Sequence, residues 1–162
     1  MNRIVFFILA GLMILTSFNA YSQPGKIPPF QIIQSNGRVF KAENLPFGKP
    51  IVIIYFSPDC EDCQQFTKEL LNRINEFNNA SIAMITYLSL NTVKQFVSDY
   101  HLDKYSNIYI GTEGNSYFVG NYYKVAKLPF LALYNKNGDL IKVYNYNKEE
   151  NLDNFLLLLR SL

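Results

Sequence analysis

The chain contains no tryptophan, a single histidine and only two cysteines in 162 residues. One histidine cannot build a His-rich metal site. Two cysteines cannot build a multi-disulfide scaffold, or a four-cysteine metal site within one chain. Charge is also sparse: charged residues make up 17% of the chain and the formal net charge is +2. Lys and Arg are scattered, with no basic run. This excludes the basic footprint of a nucleic-acid binder. Beyond the N-terminus no segment offers the roughly 20 apolar residues that a membrane-spanning helix needs. What the chain does have is 49% hydrophobic and 15% aromatic residues. That composition argues against intrinsic disorder. The length suits one globular domain and is too short for two.

The N-terminus has its own pattern. Asn2-Arg3 gives a short positive start, residues 4–15 are apolar, and residues 16–19 turn polar. Ala20 and Ser22 then supply small residues before Gln23. This is the three-part plan of a secretory signal peptide. We therefore expect a signal peptide over residues 1–22 and a mature domain over residues 23–162. The apolar run is shorter than a spanning helix, which argues against a retained anchor. No cysteine lies near the cut, so a lipoprotein anchor is not offered. The expected location is periplasmic or otherwise extracytoplasmic, with no stable membrane span after cleavage. Such compartments are oxidising.

Along the mature chain, the proline-rich residues 24–29 read as an extended lead-in. Residues 30–33 and 39–40 flank an Asn36-Gly37 turn and predict an N-terminal β-hairpin. Residues 51–56 form a continuous β-branched and aromatic run, the mark of a strand buried on both faces. From Cys60 the apolar period lengthens: Cys63, Phe66, Leu70, Ile74 and Phe77 fall three to four apart, predicting an amphipathic helix over residues 60–77. Further strands are expected at residues 82–88, 107–110, 130–134 and 140–144, and a turn over residues 111–114. Asn137-Gly138 marks a hairpin turn between the last two strands. Helices are expected over residues 92–100 and 116–125, and a last one capped by Asn147 with Glu150 three residues on. The class is α/β: a central mixed sheet flanked by helices.

Cys60-Glu61-Asp62-Cys63 is a C-x-x-C at a strand-to-helix junction. Two intervening residues span about one helical turn, so the sulfurs can reach each other for a Cys60–Cys63 disulfide. The start of a helix favours a thiolate at Cys60. Cys63, one turn in, should be more covered. Cys60 is then the attacking nucleophile and Cys63 the resolving thiol. Asp59, Glu61 and Asp62 place negative charge beside the sulfurs and oppose a strongly stabilised thiolate. That argues for a neutral to reducing poise. Other readings of the pair are a structural disulfide, half of a zinc site shared in a dimer, or two inert buried thiols. A second piece is Lys127-Leu128-Pro129-Phe130, where a proline opens a buried strand and offers a cis peptide.

Taken together these residues resemble the thioredoxin fold family, and within it the exported TlpA-like thiol–disulfide oxidoreductases. SNGRVFKAENLPFGKPIVIIYFSPDCEDC resembles that group's lead-in hairpin, central strand and C-x-x-C. LPFLALYNKNGDLIKVY resembles its cis-proline strand, Asn-Gly turn and partner strand. The stretch between holds the group's extra strand–helix insertion. The resemblance implies a cis Pro129 facing the C-x-x-C. It also implies a substrate groove formed by Pro58, Asp59, Glu61, Asp62, Leu128 and Pro129. The chain departs from the family at Ile54, where many members carry a buried acid, and at Leu128, where this group usually has Thr. Pro58-Asp59 stands where an aromatic usually precedes the first cysteine.

The function expected is an exported oxidoreductase that reduces disulfide-containing protein clients. A membrane-bound thiol electron donor would re-reduce it, and no metal or organic cofactor is implied. Other readings of the same fold are a peroxiredoxin-like peroxidase, a copper-delivery protein and a non-enzymatic binding module. The first lacks its proline, because Ile53 stands there. The second needs one more residue between the cysteines and a late histidine, whereas His101 follows a mid-chain helix and reads as a surface residue. The third would use Tyr117, Tyr122, Tyr123, Tyr134, Tyr144 and Tyr146 as a surface, although tyrosines in half-buried strands and helices more often belong to the core.

Overall fold

The computed structural model describes residues 25–46, 48–146 and 151–162. The signal-peptide expectation and the Asn147–Glu150 capping pair lie outside them. Seven strands form one mixed sheet in the order β2-β1-β5-β4-β3-β6-β7. They are β1 Gln31–Gln34, β2 Val39–Lys41, β3 Ile51–Tyr55, β4 Ser81–Thr86, β5 Ile108–Thr112, β6 Phe130–Tyr134 and β7 Leu140–Asn145. β3, β4 and β5 are mutually parallel neighbours, while β6 runs antiparallel to β3 and β7 antiparallel to β6. The helices are α1 Glu61–Asn72, α2 Leu90–Tyr100, α3 Phe118–Tyr123 and α4 Leu152–Leu159. Among the described residues no helix is long and apolar enough to cross a membrane.

Alternation along β3 divides the core in two. Val52, Ile54 and Phe56 face one side, where they meet Phe66 and Leu70 of α1, Phe96 of α2 and Phe155 of α4. Ile51, Ile53 and Tyr55 face the other, where they meet Val119 of α3 and the extended N-terminal residues Phe30 and Ile32. A strand with both faces covered must be apolar at every position, which is why residues 51–56 show no alternation.

Several boundaries differ from expectation. The helix predicted over residues 60–77 ends at Asn72, and Ile74–Phe77 form a separate 3-10 turn. Phe77 stays fully buried across that break, so the apolar spacing outlasts the helix. The third helix is confined to Phe118–Tyr123 by Tyr117 and Lys124, both left-handed, with φ of 46° and 52°. β5 extends through Gly111, where the sequence predicts a turn. There β1 comes so close that a Cβ on Gly111 would lie 2.6 Å from the Ile33 carbonyl oxygen. The last helix starts at Leu152 and is capped by Asn151, whose side chain accepts from the Asn154 N–H at 3.2 Å. The Asn36-Gly37 and Asn137-Gly138 turns form where expected, with φ of 81° at Gly37 and 74° at Gly138.

Candidate active site

Where β3 runs out, the chain stays buried through Phe56, Ser57 and Pro58, then surfaces at Asp59. A short set of hydrogen bonds fixes this loop. The Phe56 N–H donates to the Ile85 carbonyl at 3.0 Å, and the Cys60 N–H to the Ser57 carbonyl at 3.1 Å. The Ser57 hydroxyl donates to the Asp59 carboxylate. From α1, the Gln64 side-chain amide donates back to the Pro58 carbonyl at 2.9 Å. Thr67 donates its hydroxyl to the Cys63 carbonyl at 2.8 Å.

Cys60 is the N-cap of α1 rather than a residue of its first turn, and its side chain makes no capping hydrogen bond. The two cysteines sit in different surroundings. Cys60 is half-buried, Cys63 is wholly buried, and both are thiols in this structure. Burial pushes the Cys63 thiol well above its ordinary range, and its hydrogen bond with Cys60 and the nearby Asp62 charge act in the same direction. The Ser57 backbone opposes them. Asp59, Glu61 and Asp62 are all exposed around the pair.

The second sequence element reaches the same end of the sheet. β6 pairs antiparallel with β3, matching Phe130 to Tyr55. Residues just before β6 therefore lie beside residues just after β3, which brings Leu128 and Pro129 to the Cys60 loop. The Leu128–Pro129 peptide is cis. Pro129 is buried, and half-buried Leu128 touches both cores. The Pro129 carbonyl accepts from the Tyr146 N–H at 3.3 Å.

Three contributors are not singled out at this site by the sequence. Tyr146 packs edge-on against Phe66 of α1, with ring centroids 5.0 Å apart, and its hydroxyl donates to Glu69. It thus ties the end of β7 to the helix that carries the cysteines. Tyr55 and Tyr87 border an opening next to Leu128, which Tyr117 also lines. Of the six tyrosines considered as a surface, Tyr134 and Tyr144 are buried in the core and Tyr117 is exposed. His101 is exposed and ends α2 in a left-handed conformation. Among the described residues no group of three His, Cys, Asp or Glu side chains could hold a metal ion.

Comparison with known proteins agrees with this architecture. A family model described as a thioredoxin-like domain matches residues 41–159. No curated protein sequence matches the chain. Among solved structures, it is similar to a secreted Mycobacterium tuberculosis disulfide oxidoreductase homologous to E. coli DsbE. The two are 20% identical with a TM-score of 0.67, covering 83% of this chain and 96% of that one. A thiol-disulfide oxidoreductase from Bacteroides fragilis is 16% identical with a TM-score of 0.65, covering 83% and 98%. The pneumococcal exposed lipoprotein thioredoxin from Streptococcus pneumoniae is 17% identical with a TM-score of 0.60, covering 83% and 100%. With a family model matched over most of its length and the mixed sheet of these structures, the chain belongs to the thioredoxin-like domain family.

Proposed function

We propose that the protein is an exported thiol–disulfide oxidoreductase that reduces disulfides in protein clients. The observation that carries this is the asymmetry of the C-x-x-C: Cys60 half-exposed at a helix start, Cys63 wholly buried one turn behind it. In the forward step the Cys60 thiolate attacks a client disulfide. A Cys60–client bond forms and one client thiolate leaves, taking up a proton. Cys63 then loses its proton and attacks the Cys60 sulfur. The Cys60–Cys63 bond forms and the second client thiol departs. Two electrons and two protons pass from the dithiol to the client, and no cofactor takes part. A membrane-bound thiol donor returns the pair to the dithiol. Leu128 and Pro129, with Pro58, Asp59, Glu61 and Asp62, form the groove in which the client lies.

The reducing direction is supported by the three exposed carboxylates around the pair. An oxidant needs a reduced form stabilised by a favoured thiolate, and negative charge works against that. Export is supported by the pattern of residues 1–22 and by the secreted neighbour. The test is the reduction potential of Cys60–Cys63, read by alkylation mass shift after equilibration in thiol buffers. We expect a value near that of thioredoxin, about −270 mV. A value between about −120 and −180 mV would make the protein an oxidase or isomerase. A pair that does not cycle at all would point to a binding module.

A further inference from the structure

The pairing of β3 with β6 ends at Tyr55 and Phe130. Past that rung β3 leads into the Cys60 loop, and Pro129 has no N–H with which to extend the ladder. The Gln64 bond to the Pro58 carbonyl pins α1 to the exit of β3, not to β6. The sheet alone does not fix how far the cysteine helix stands from the cis-proline. Side chains across the gap must do it. Cys60, Leu128 and Tyr146 all lie on the rim of the core that holds Phe66 and Leu70.

Tyr146 bridges the gap through three different groups. Its backbone N–H donates to the Pro129 carbonyl at 3.3 Å. Its ring meets the Phe66 ring edge-on, with centroids 5.0 Å apart. Its hydroxyl donates to one oxygen of Glu69, whose other oxygen accepts from the Gln65 side-chain amide at 3.0 Å. Glu69 is half-buried and held from two sides, so it is a fixed acceptor rather than a swinging surface acid. Phe66 and Glu69 follow Cys63 at successive i, i+3 steps along α1. A shift at either is a shift of the helix that carries both sulfurs. The three links also differ in what they require. Any side chain keeps the bond to Pro129, any aromatic keeps the ring contact, and the hydroxyl link alone needs tyrosine.

We propose that Tyr146 is a positioning residue for thiol–disulfide exchange. It holds the Cys60–Cys63 helix at a set distance from the cis-proline, so that a client lying along Leu128 and Pro129 presents its disulfide in line with Cys60. The proposal rests on the reading of the chain as a thiol–disulfide oxidoreductase. Tyr146 acts through Phe66, Glu69 and Pro129. Misplacing reacting atoms by about 1 Å costs on the order of a hundredfold in rate. Loss of the hydroxyl link alone, with the ring and the backbone bond kept, should cost less.

The test uses the full chain in reduced form and two disulfides. A short peptide closed by one disulfide has to lie in the groove, whereas dithiodipyridine is small enough to react without it. Each reaction turns one dithiol into the Cys60–Cys63 disulfide and one substrate disulfide into two thiols. Second-order rate constants are compared. We expect Tyr146→Phe to slow the peptide about tenfold and dithiodipyridine by less than about twofold. Its urea midpoint should stay near that of the wild type, because the ring remains packed. Glu69→Ala should give the same selective loss. Glu69→Gln, whose amide oxygen still accepts from the hydroxyl, should keep most of the peptide rate. Tyr146→Phe and Glu69→Ala combined should be no slower than either alone, since both cut one link. A purely structural role would slow both substrates together and lower the urea midpoint, and that outcome overturns the proposal. So does a peptide rate in Tyr146→Phe within about twofold of wild type, a Glu69→Gln as slow as Glu69→Ala, or losses that add in the double variant. If the wild type itself leaves the peptide disulfide intact, the oxidoreductase reading falls, and the positioning role falls with it.

Discussion

Cys63 is a thiol with nowhere to put a negative charge. It is wholly buried, and burial is the first cause of its raised pKa. The consequence for stability has a definite sign. Below the ordinary thiol value of 9.0 the group is protonated in both folded and unfolded chains, so it contributes no slope. Above that value the unfolded chain releases the proton while the folded chain keeps it. Stability is therefore lost as pH rises, by about 1.4 kcal/mol per unit for one such group. Tyr55, Tyr123 and Tyr146 are raised as well, from an ordinary value of 10.0, so their loss begins higher. Between about pH 9 and 10 Cys63 should dominate. Urea unfolding of the reduced protein across that window should show the decline, and Cys63→Ala should flatten it. An equal slope in the variant would mean that another group is responsible. Alkylation follows the same physics: iodoacetamide at about pH 8 should label Cys60 well before Cys63.

Gly111 decides whether the N-terminal hairpin can join the sheet. β1 pairs with β5 through Ile33–Thr112 and Gln34–Gly111. A methyl at Gly111 would meet backbone, the Ile33 carbonyl oxygen at 2.6 Å and its carbon at 2.9 Å, which cannot rotate aside. Gly111→Ala should cost about 1–3 kcal/mol as β1 is pushed off. Hydrogen exchange should show the loss at β1 and β2 first, with β3 and β4 spared. Unchanged protection would show that the strand has slack to move. The same glycine marks a limit of reading the sequence, where it looks like punctuation between a strand and a helix. Nothing local says that another strand needs the space. Strands β3, β4 and β6 are legible because burial on both faces leaves a continuous apolar run. The Cys60–Cys63 pair is legible because its members are neighbours at one helix start. Tyr55 ends β3, while Tyr87 and Tyr117 lie beyond the ends of β4 and β5; the three share no common spacing, so only the sheet order unites them. The short span of α3 is hidden for a related reason: Tyr117 and Lys124 take the left-handed conformation without a Gly or Asn to announce it.

The two faces of the sheet are covered by different means. One is roofed by α1, α2 and α4, the other by α3 alone together with an extended stretch of chain. That stretch is anchored at both ends. The Leu140 N–H donates to the Gly25 carbonyl at 2.5 Å, Lys26 pairs with Asp139 at 2.5 Å, and the Tyr122 hydroxyl donates to the Lys26 carbonyl at 3.2 Å. Farther along, Phe30 is 1% exposed and lies in the second core with Ile53 and Ala132. An exposed ion pair such as Lys26–Asp139 is worth little, so the stretch must hold by its apolar anchors. Phe30 then does for this face what a helix does for the other. Phe30→Ala should cost about 3–5 kcal/mol, the range for truncating a buried phenylalanine. That is a large part of the stability of about 5–15 kcal/mol typical of a single domain. Val39→Ala, at a side chain 53% exposed on the hairpin, should stay within about 0.5 kcal/mol of wild type. Urea midpoints at unchanged m-value would measure both. If Phe30→Ala proved as mild as Val39→Ala, the extended stretch would be a passenger, and α3 would be enough to close that face.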